Sequence, residues 1–223
     1  MMRRVLLIGA ALSIGVALSA FGCFRAQSVP PIEMYRLLPT AAETASVPLP
    51  TPSSDLPEGS VTVSRFVTPG LYGQRGIVYK VGESGYASYP SREWAIPLGE
   101  MLGRRTADLL QERPIARDGA LFDPPARRTF EYAWGGTVRE FEEVDRGPNV
   151  FVAVSLEASL IRIDDDSIVW SGSGRAERPV PDGTMDGIIA GLSAATDEVL
   201  VGLIDAARVS IRQRSANGST RER

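Results

Sequence analysis

The sequence predicts an α+β fold, in which a largely antiparallel sheet carries two main helices packed on one face. Several segments alternate apolar and polar residues with a period of two, which is typical of half-buried strands. Two longer segments repeat apolar residues at helical spacing, and each has a single apolar stripe. Since both stripes can be covered by the same face of one sheet, a two-layer arrangement is the simplest expectation.

The first strands are predicted at residues 32–39 and 61–67, on either side of a proline-rich loop at 40–59. Four prolines lie in this loop among many Ser, Thr and Ala residues. The prolines stiffen the segment locally, and its composition is typical of a linker or an extended loop. The next two strands are predicted at 77–81 and 86–89. Between them Gly82-Glu83-Ser84-Gly85 favours a hairpin turn.

The first predicted helix follows Pro97, which suits the first helical position. Arg113-Pro114 ends it, because the residue before a proline disfavours the helical conformation. Its apolar stripe consists of Leu98, Met101, Leu102, Leu109 and Leu110.

Three strands are predicted in the second half. Residues 130–142 form one long strand with a bulge or kink at Gly135-Gly136. Residues 149–163 alternate most clearly, and Asp164-Asp165-Asp166-Ser167 turns the chain into a returning strand at 168–174. Core packing is the expected role for at least two of the three tryptophans, Trp94, Trp134 and Trp170.

The last helix is predicted to be the longest element. Asp182 is expected to cap it, and a continuous apolar stripe carries it to about Ile211. The polar tail at 212–223 is expected to be disordered.

Composition excludes several kinds of chemistry. The chain has no histidine and one cysteine, so it cannot build a His/Cys zinc site, a Cys-His pair or a Ser-His-Asp triad. A net charge of −3 gives no basic field for nucleic acid. The acidic runs around Asp165 and Glu142 are interpreted as a solvated turn and a charged strand end, since the calcium-loop spacing is missing. We therefore predict no catalytic residue, no metal and no cofactor.

The N-terminus has the features of a secretory signal. Arg3 and Arg4 precede an unbroken apolar run at 5–22, and small residues lie before the break. The run is slightly short for a membrane-spanning helix, although a retained anchor helix is the competing interpretation.

Cys23 favours cleavage, because Ala20-Phe21-Gly22-Cys23 resembles the lipobox of bacterial lipoproteins. In such proteins the cysteine is acylated, which anchors the chain firmly once two or more acyl chains are attached. The expected organisation is a signal peptide at 1–22, lipidation at Cys23 and a tether at 23–32. Phe24 after the cysteine, instead of Asp, implies the periplasmic face of the outer membrane of a Gram-negative bacterium.

Three short motifs, in this order and spacing, resemble those of a known family. They are Tyr35-Arg36-Leu37, Ile77-Val78-Tyr79 and the run Arg92-Glu93-Trp94-Ala95-Ile96-Pro97-Leu98 at a helix start. The chain resembles the ABC-type transport auxiliary lipoproteins, the group that contains the paraquat-inducible protein C. The resemblance implies a domain at 33–211 and structural or interface roles for Tyr35, Leu37, Tyr79, Trp94 and Pro97.

The same resemblance implies the function and the partners. It implies a non-catalytic component that works with ABC transporter subunits and a mammalian-cell-entry domain protein, in a system that moves lipid between membranes. A homo-oligomer is left open. The alternative is a periplasmic lipoprotein that carries lipid in a groove under its long helix; a third reading, an envelope hydrolase, has no motif in its favour.

Overall fold

The structure of the chain is a computed structural model, which describes residues 30–38, 56–125 and 127–221. In it, eight strands form one mixed, open sheet, and two α-helices cover this sheet. The strands are β1 Glu33–Tyr35, β2 Val61–Val63, β3 Gly76–Val81, β4 Gly85–Trp94, β5 Ala120–Phe122, β6 Tyr132–Arg146, β7 Asn149–Arg162 and β8 Ile168–Val180. The helices are α1 Leu98–Glu112 and α2 Met185–Arg221, and a short 3-10 helix lies at Gly70–Gly73.

The predicted fold class, α+β with a largely antiparallel sheet, is confirmed. Long antiparallel ladders join β3 to β4, β6 to β7 and β7 to β8. Shorter parallel pairings join β1 to β4, β3 to β6, β2 to β6 and β2 to β5. Two of these parallel pairings involve β6, because this strand is long enough to pair with β2 along its first residues and with β3 near its end.

The bulge in β6 lies between Val138 and Glu140, not at the paired glycines where we predicted it. Gly136 has a different role, since a Cβ there would lie 2.2 Å from the Phe66 ring. The bulge shifts the alternation of β6, so that Phe141 and Glu143 continue the face begun by Trp134 and Val138.

Helix α1 begins one residue later than predicted. Pro97 is the N-cap and not the first helical residue, and its carbonyl oxygen accepts hydrogen bonds from the Glu100 and Met101 amides at 3.0 and 3.1 Å. The predicted apolar stripe is buried along this helix.

Helix α2 is capped by Thr184, so the prediction of Asp182 as the cap is wrong. The Thr184 hydroxyl accepts a hydrogen bond from the Gly187 amide at 3.1 Å. Asp182 instead holds Thr184, by accepting from its amide at 3.2 Å and from its hydroxyl at 2.9 Å. The helix also continues to Arg221, past the end at Ile211 that we expected. The expected disorder of 212–223 overlaps these last turns and stays a prediction.

The core lies between the sheet and the two helices. Trp134 and Trp170 stack there with ring centroids 5.4 Å apart, and Trp94 meets the Phe141 ring edge-on at 5.9 Å. The predicted core packing of the tryptophans is therefore confirmed. By length and composition the segment Met185–Gln213 of α2 could cross a membrane, but here its apolar side is buried against β7 and β8.

The opposite face of the sheet is charged. Arg139 of β6 pairs with Glu157 of the neighbouring strand β7, and Arg175 of β8 reaches across β7 to Glu140 of β6, each at 2.6 Å. At the end of β7, the predicted solvated turn is confirmed, with the Ser167 amide bonded to the Asp165 carboxylate at 3.1 Å.

Candidate functional site

Four of the five predicted family residues meet where β1, the end of β4 and the start of α1 come together. Tyr35 lies opposite Trp94 in the parallel β1–β4 pairing. The Ala95 amide donates a hydrogen bond to the Tyr35 carbonyl oxygen at 2.8 Å, and Pro97 caps α1 two residues later. Leu37 packs against the core directly after β1. The first described strand of the chain is thus bound to the segment that starts the first helix.

The fifth residue, Tyr79 on β3, is connected to this junction by a series of side-chain contacts. Its ring lies 4.8 Å from that of Tyr89, and the Arg92 guanidinium lies 5.1 Å above the Tyr89 ring. Arg92 in turn lies 3.5 Å from the Glu33 carboxylate, which accepts a 2.6 Å hydrogen bond from the Tyr35 hydroxyl. We call Tyr79, Tyr89, Arg92, Glu33 and Tyr35 the tyrosine series.

Two tyrosine hydroxyls of this series, those of Tyr35 and Tyr89, act as hydrogen-bond donors. The Tyr89 hydroxyl donates to Glu143 at 2.6 Å, and burial raises the pKa of Tyr89 far above its ordinary value. The hydrogen bond to Glu33 raises the pKa of Tyr35 as well. The Tyr89 bond joins β4 to β6, whereas the Tyr35–Glu33 bond lies within β1.

A groove lies between α1 and α2, and the residues after β1 form one of its walls. Its volume is about 320 Å³. The Leu38 amide donates a 2.9 Å hydrogen bond to the Ser193 hydroxyl of α2, which attaches this wall to the second helix. The interhelix groove is lined by Arg36, Leu37, Leu38, Ile96, Met101, Arg104, Arg105, Asp108, Ser193, Thr196 and Asp197.

Two ion pairs join α1 and the residue that follows it to α2, and the first of them lines this groove. Arg105 lies 2.6 Å from Asp197, and both side chains are only 12% exposed. Arg113 and Asp205 form a second, more exposed pair at 3.1 Å. Arg113 lies eight residues after Arg105, and Asp205 lies eight residues after Asp197. The two helices α1 and α2 therefore run in the same direction. Beside them, burial raises the pKa of Asp108.

The acidic run of β6 is divided between the two faces of the sheet. Glu142 and Glu143 are neighbours in the strand, so their side chains project to opposite faces of the sheet. Glu142 accepts a hydrogen bond from the Tyr72 hydroxyl of the 3-10 helix, and Glu140 pairs with Arg175. The prediction of a charged strand end is wrong for Glu142 and Glu143, which are buried.

The signals for these contacts differ in strength. Short motifs indicated Tyr35, Leu37, Tyr79, Trp94 and Pro97, whereas no local pattern indicated the Arg105–Asp197 pair or the Leu38–Ser193 bond, because their partners are far apart in the chain. Cys23, the signal peptide and the loop residues before Leu56 lie outside the described residues, so lipidation at Cys23 stays a prediction. Within the described ranges, no cluster of three or more acidic or cysteine side chains could hold a metal ion.

Two solved structures share this fold, and a third is less similar. Protein XCC0632 from Xanthomonas campestris matches with a TM-score of 0.66 at 18% identity, over 82% of this chain and 99% of that one. An uncharacterised protein matches with a TM-score of 0.57 at 16% identity, over 82% of this chain and 99% of its own. PelC from Paraburkholderia phytofirmans, which crystallised as a dodecamer, matches with a TM-score of 0.45 at 16% identity, over 69% and 89%.

A search by sequence against curated proteins found no match. The profile of a protein family, described as the ABC-type transport auxiliary lipoprotein component, matches residues 37–202. This match covers most of the folded domain, including α1, the long β6–β8 strands and most of the apolar part of α2. The chain therefore belongs to the family of ABC-type transport auxiliary lipoprotein components.

Proposed function

We propose that this protein is a non-catalytic outer-membrane lipoprotein, which docks an ABC-type intermembrane lipid transport system through its mammalian-cell-entry domain subunit. Family membership supports the transport role and the lipid anchor. The observation that carries the proposal is the attachment of β1, the first described strand, to β4, to the segment before α1 and, through Leu38, to α2.

This attachment makes a lipid anchor mechanically useful. Pairing with β4, the Tyr35–Ala95 bond and the Leu38–Ser193 bond fix the chain to three elements within a few residues. A pull on acylated Cys23 would therefore act on the whole domain and not on a loose end. The net charge of −3 gives no attraction to anionic head groups, so the acyl chains supply the membrane affinity.

The energy for transport comes from the partner in this proposal. The tyrosines and ion pairs at its family motifs stabilise the domain. The role of the domain in this proposal is to position the periplasmic partner beneath the outer membrane. Palmitate or a similar acyl chain on Cys23 is part of the same proposal.

Co-purification tests the docking role. The full-length lipoprotein is extracted from membranes in mild detergent, and the mammalian-cell-entry subunit and ATPase are looked for in the eluate. We expect both to co-purify in amounts that fall when the lipoprotein is omitted. Repeated absence of the subunit, in a preparation in which the transporter itself stays intact, would contradict docking.

The interhelix groove supports a second candidate, a lipoprotein that carries lipid itself. Leu37, Leu38, Ile96 and Met101 give part of the groove an apolar lining. Its volume of about 320 Å³ lies at the lower limit of small-molecule pockets, and charged residues line the rest. Native mass spectrometry of Ile96→Trp against wild type separates the candidates, because a carrier should lose bound lipid when the groove is narrowed and a docking protein should not change.

A further inference from the structure

The strand directions give the molecule two distinct ends. The end of β3 runs parallel to the end of β6, so the β3–β4 turn and the β6–β7 turn lie at the same end, which we call the β3–β4 end. The antiparallel β7 carries the chain away from it, and the β7–β8 turn therefore lies at the opposite end, which we call the β7–β8 end.

The chain enters the sheet from the β3–β4 end. β4 begins at that end, and β1 runs parallel to β4, with Glu33 opposite Arg92 and Tyr35 opposite Trp94. Ile32, directly before β1, is therefore nearer to the β3–β4 end than Tyr35 is. The pairings of Gly76 with Glu93 and of Tyr79 with Glu143 extend this alignment to β6.

The length of the tether favours this end for the membrane. By the pairings above, Ile32 lies about four residues, or roughly 13 Å, from the level at which β6 ends, and about ten residues, or roughly 33 Å, from the level at which β6 begins. The nine residues from Cys23 to Ile32 span at most about 30 Å when fully extended. A chain anchored at Cys23 thus reaches the bilayer easily with the β3–β4 end, whereas the β7–β8 end demands a tether stretched to its limit.

The side chains at the β3–β4 end suit a lipid surface. Val81 and Tyr86 flank the turn and are 51% and 48% exposed. Tyrosine is enriched where proteins meet lipid head groups. Lys80, the only lysine in the sequence, lies beside Val81 and can extend its ammonium to the phosphates while its methylenes stay in apolar contact. We call Val81 and Tyr86 the anchor-side patch.

The β7–β8 end has the opposite character. Ile163 and Ile168 are exposed there too, but Asp164, Asp165 and Asp166 lie between them. An anionic membrane surface repels such a turn. The two ends therefore carry similar apolar exposure and differ in charge, which makes each a matched control for the other.

We propose that the anchor-side patch rests on the phospholipid surface of the membrane that holds Cys23, and that the β7–β8 end points away from the bilayer. This inference rests on the proposed lipid anchor and adds the orientation of the domain. It leaves the β7–β8 end, on the far side from the bilayer, accessible to a periplasmic partner.

Tryptophan quenching tests the orientation in the full-length lipoprotein. Tyr86→Trp and Ile168→Trp each add an exposed tryptophan, whereas the three native tryptophans are buried. The proteins are reconstituted in vesicles of phosphatidylethanolamine and phosphatidylglycerol that carry bromine near the head of the acyl chains. We expect the tryptophan of Tyr86→Trp to lose at least about twofold more fluorescence than that of Ile168→Trp, which should match wild type. Equal quenching at both positions, or more at 168, would overturn the proposal.

Amine labelling gives a second readout, because Lys80 is the only side-chain amine in the sequence. On the same vesicles, the double variant Val81→Asp/Tyr86→Asp should let a water-soluble succinimidyl ester acylate Lys80 about threefold faster than in wild type. The control Ile163→Asp/Ile168→Asp places the same change at the other end and should leave the rate unchanged. Equal rates in all three proteins would overturn the patch.

The intact mass of the recovered protein tests the proposed lipid anchor separately from the proposed orientation. Acylated Cys23 together with unfavourable quenching refutes the orientation and leaves the proposed anchor standing. An unmodified cysteine refutes the anchor, and with it the orientation.

Discussion

Gly136 lies where the Phe66 ring presses directly on strand β6. An added Cβ would come within 2.2 Å of that ring, and Phe66 is itself buried. Overpacking of this kind costs about 1–3 kcal/mol. We therefore expect Gly136→Ala to lower the free energy of unfolding by about 2 kcal/mol, as measured by denaturant titration.

Its neighbour provides the control. A Cβ on Gly135 meets nothing within 4 Å in the same strand. Gly135→Ala should leave stability unchanged or raise it by about 0.5 kcal/mol through the unfolded chain. Similar losses at both positions would show that the strand backbone, and not the Phe66 contact, requires glycine.

Glu142 predicts a pH dependence of stability. Burial raises its pKa above the ordinary value of 4.5, although hydrogen bonds from Tyr72 and the Phe141 amide act in the opposite direction. Of the nearby charges, Glu140 raises this pKa and Lys80 lowers it. The folded state thus binds the proton more tightly than the unfolded chain. The stabilisation is complete below about pH 4.5 and is lost as the pH rises through the folded pKa.

Glu142→Gln keeps an acceptor for the Tyr72 hydroxyl and removes the charge. We expect it to be at least as stable as wild type at pH 7, with that advantage shrinking towards pH 4 in thermal melts. Glu83→Gln, at an exposed turn position, should show no such trend. An advantage for Glu142→Gln that is the same at every pH would contradict the assignment to this carboxyl.

At the scale of elements, the two helices are joined by ion pairs of unequal burial. Asp197→Asn removes the carboxylate charge that lies 2.6 Å from the mostly buried Arg105 guanidinium, and it should lower the free energy of unfolding by about 2 kcal/mol. Asp205→Asn changes a pair that is 47% exposed at the aspartate and should cost less than about 1 kcal/mol. Denaturant unfolding of the two variants side by side measures both, and a larger loss at Asp205 would contradict the burial argument.

The elements that the sequence predicted are those with strong local periodicity. The alternation in β7 and the apolar stripes of both helices were sufficient to predict these three elements, because each pattern covers many consecutive residues. β5 and the 3-10 helix at Gly70–Gly73 were missed, since three or four residues hold too few periods. The parallel pairing of β2 with β6 could not be predicted, because it depends on which distant strand completes a ladder.

The candidate site shows the same division. Trp94 and Pro97 were found because they lie in one short motif, and Tyr35 because it lies in another. That β1 brings these motifs together follows only from the sheet register. The position of the β6 bulge was also missed, because the Phe66 contact and not a kink explains Gly136.

At the scale of the whole molecule, the domain is polarised. β1 runs in the direction away from the β3–β4 end, and the β7–β8 turn lies at the opposite end. An adaptor held by a lipid needs such an asymmetry, since one end has to face the bilayer while the other stays accessible to a partner. The interhelix groove lies on the helical side of the sheet.

The central claim is that acyl chains on Cys23, and not a spanning helix, keep this domain at the membrane. Mass spectrometry of wild-type and Cys23→Ser protein, recovered separately from membrane and soluble fractions, tests it most directly. The account predicts wild-type protein that begins at Cys23 with added acyl mass, and Cys23→Ser protein that is neither acylated nor cleaved at this position. A Cys23→Ser protein that is still cleaved before position 23 and stays in the membrane fraction would contradict it.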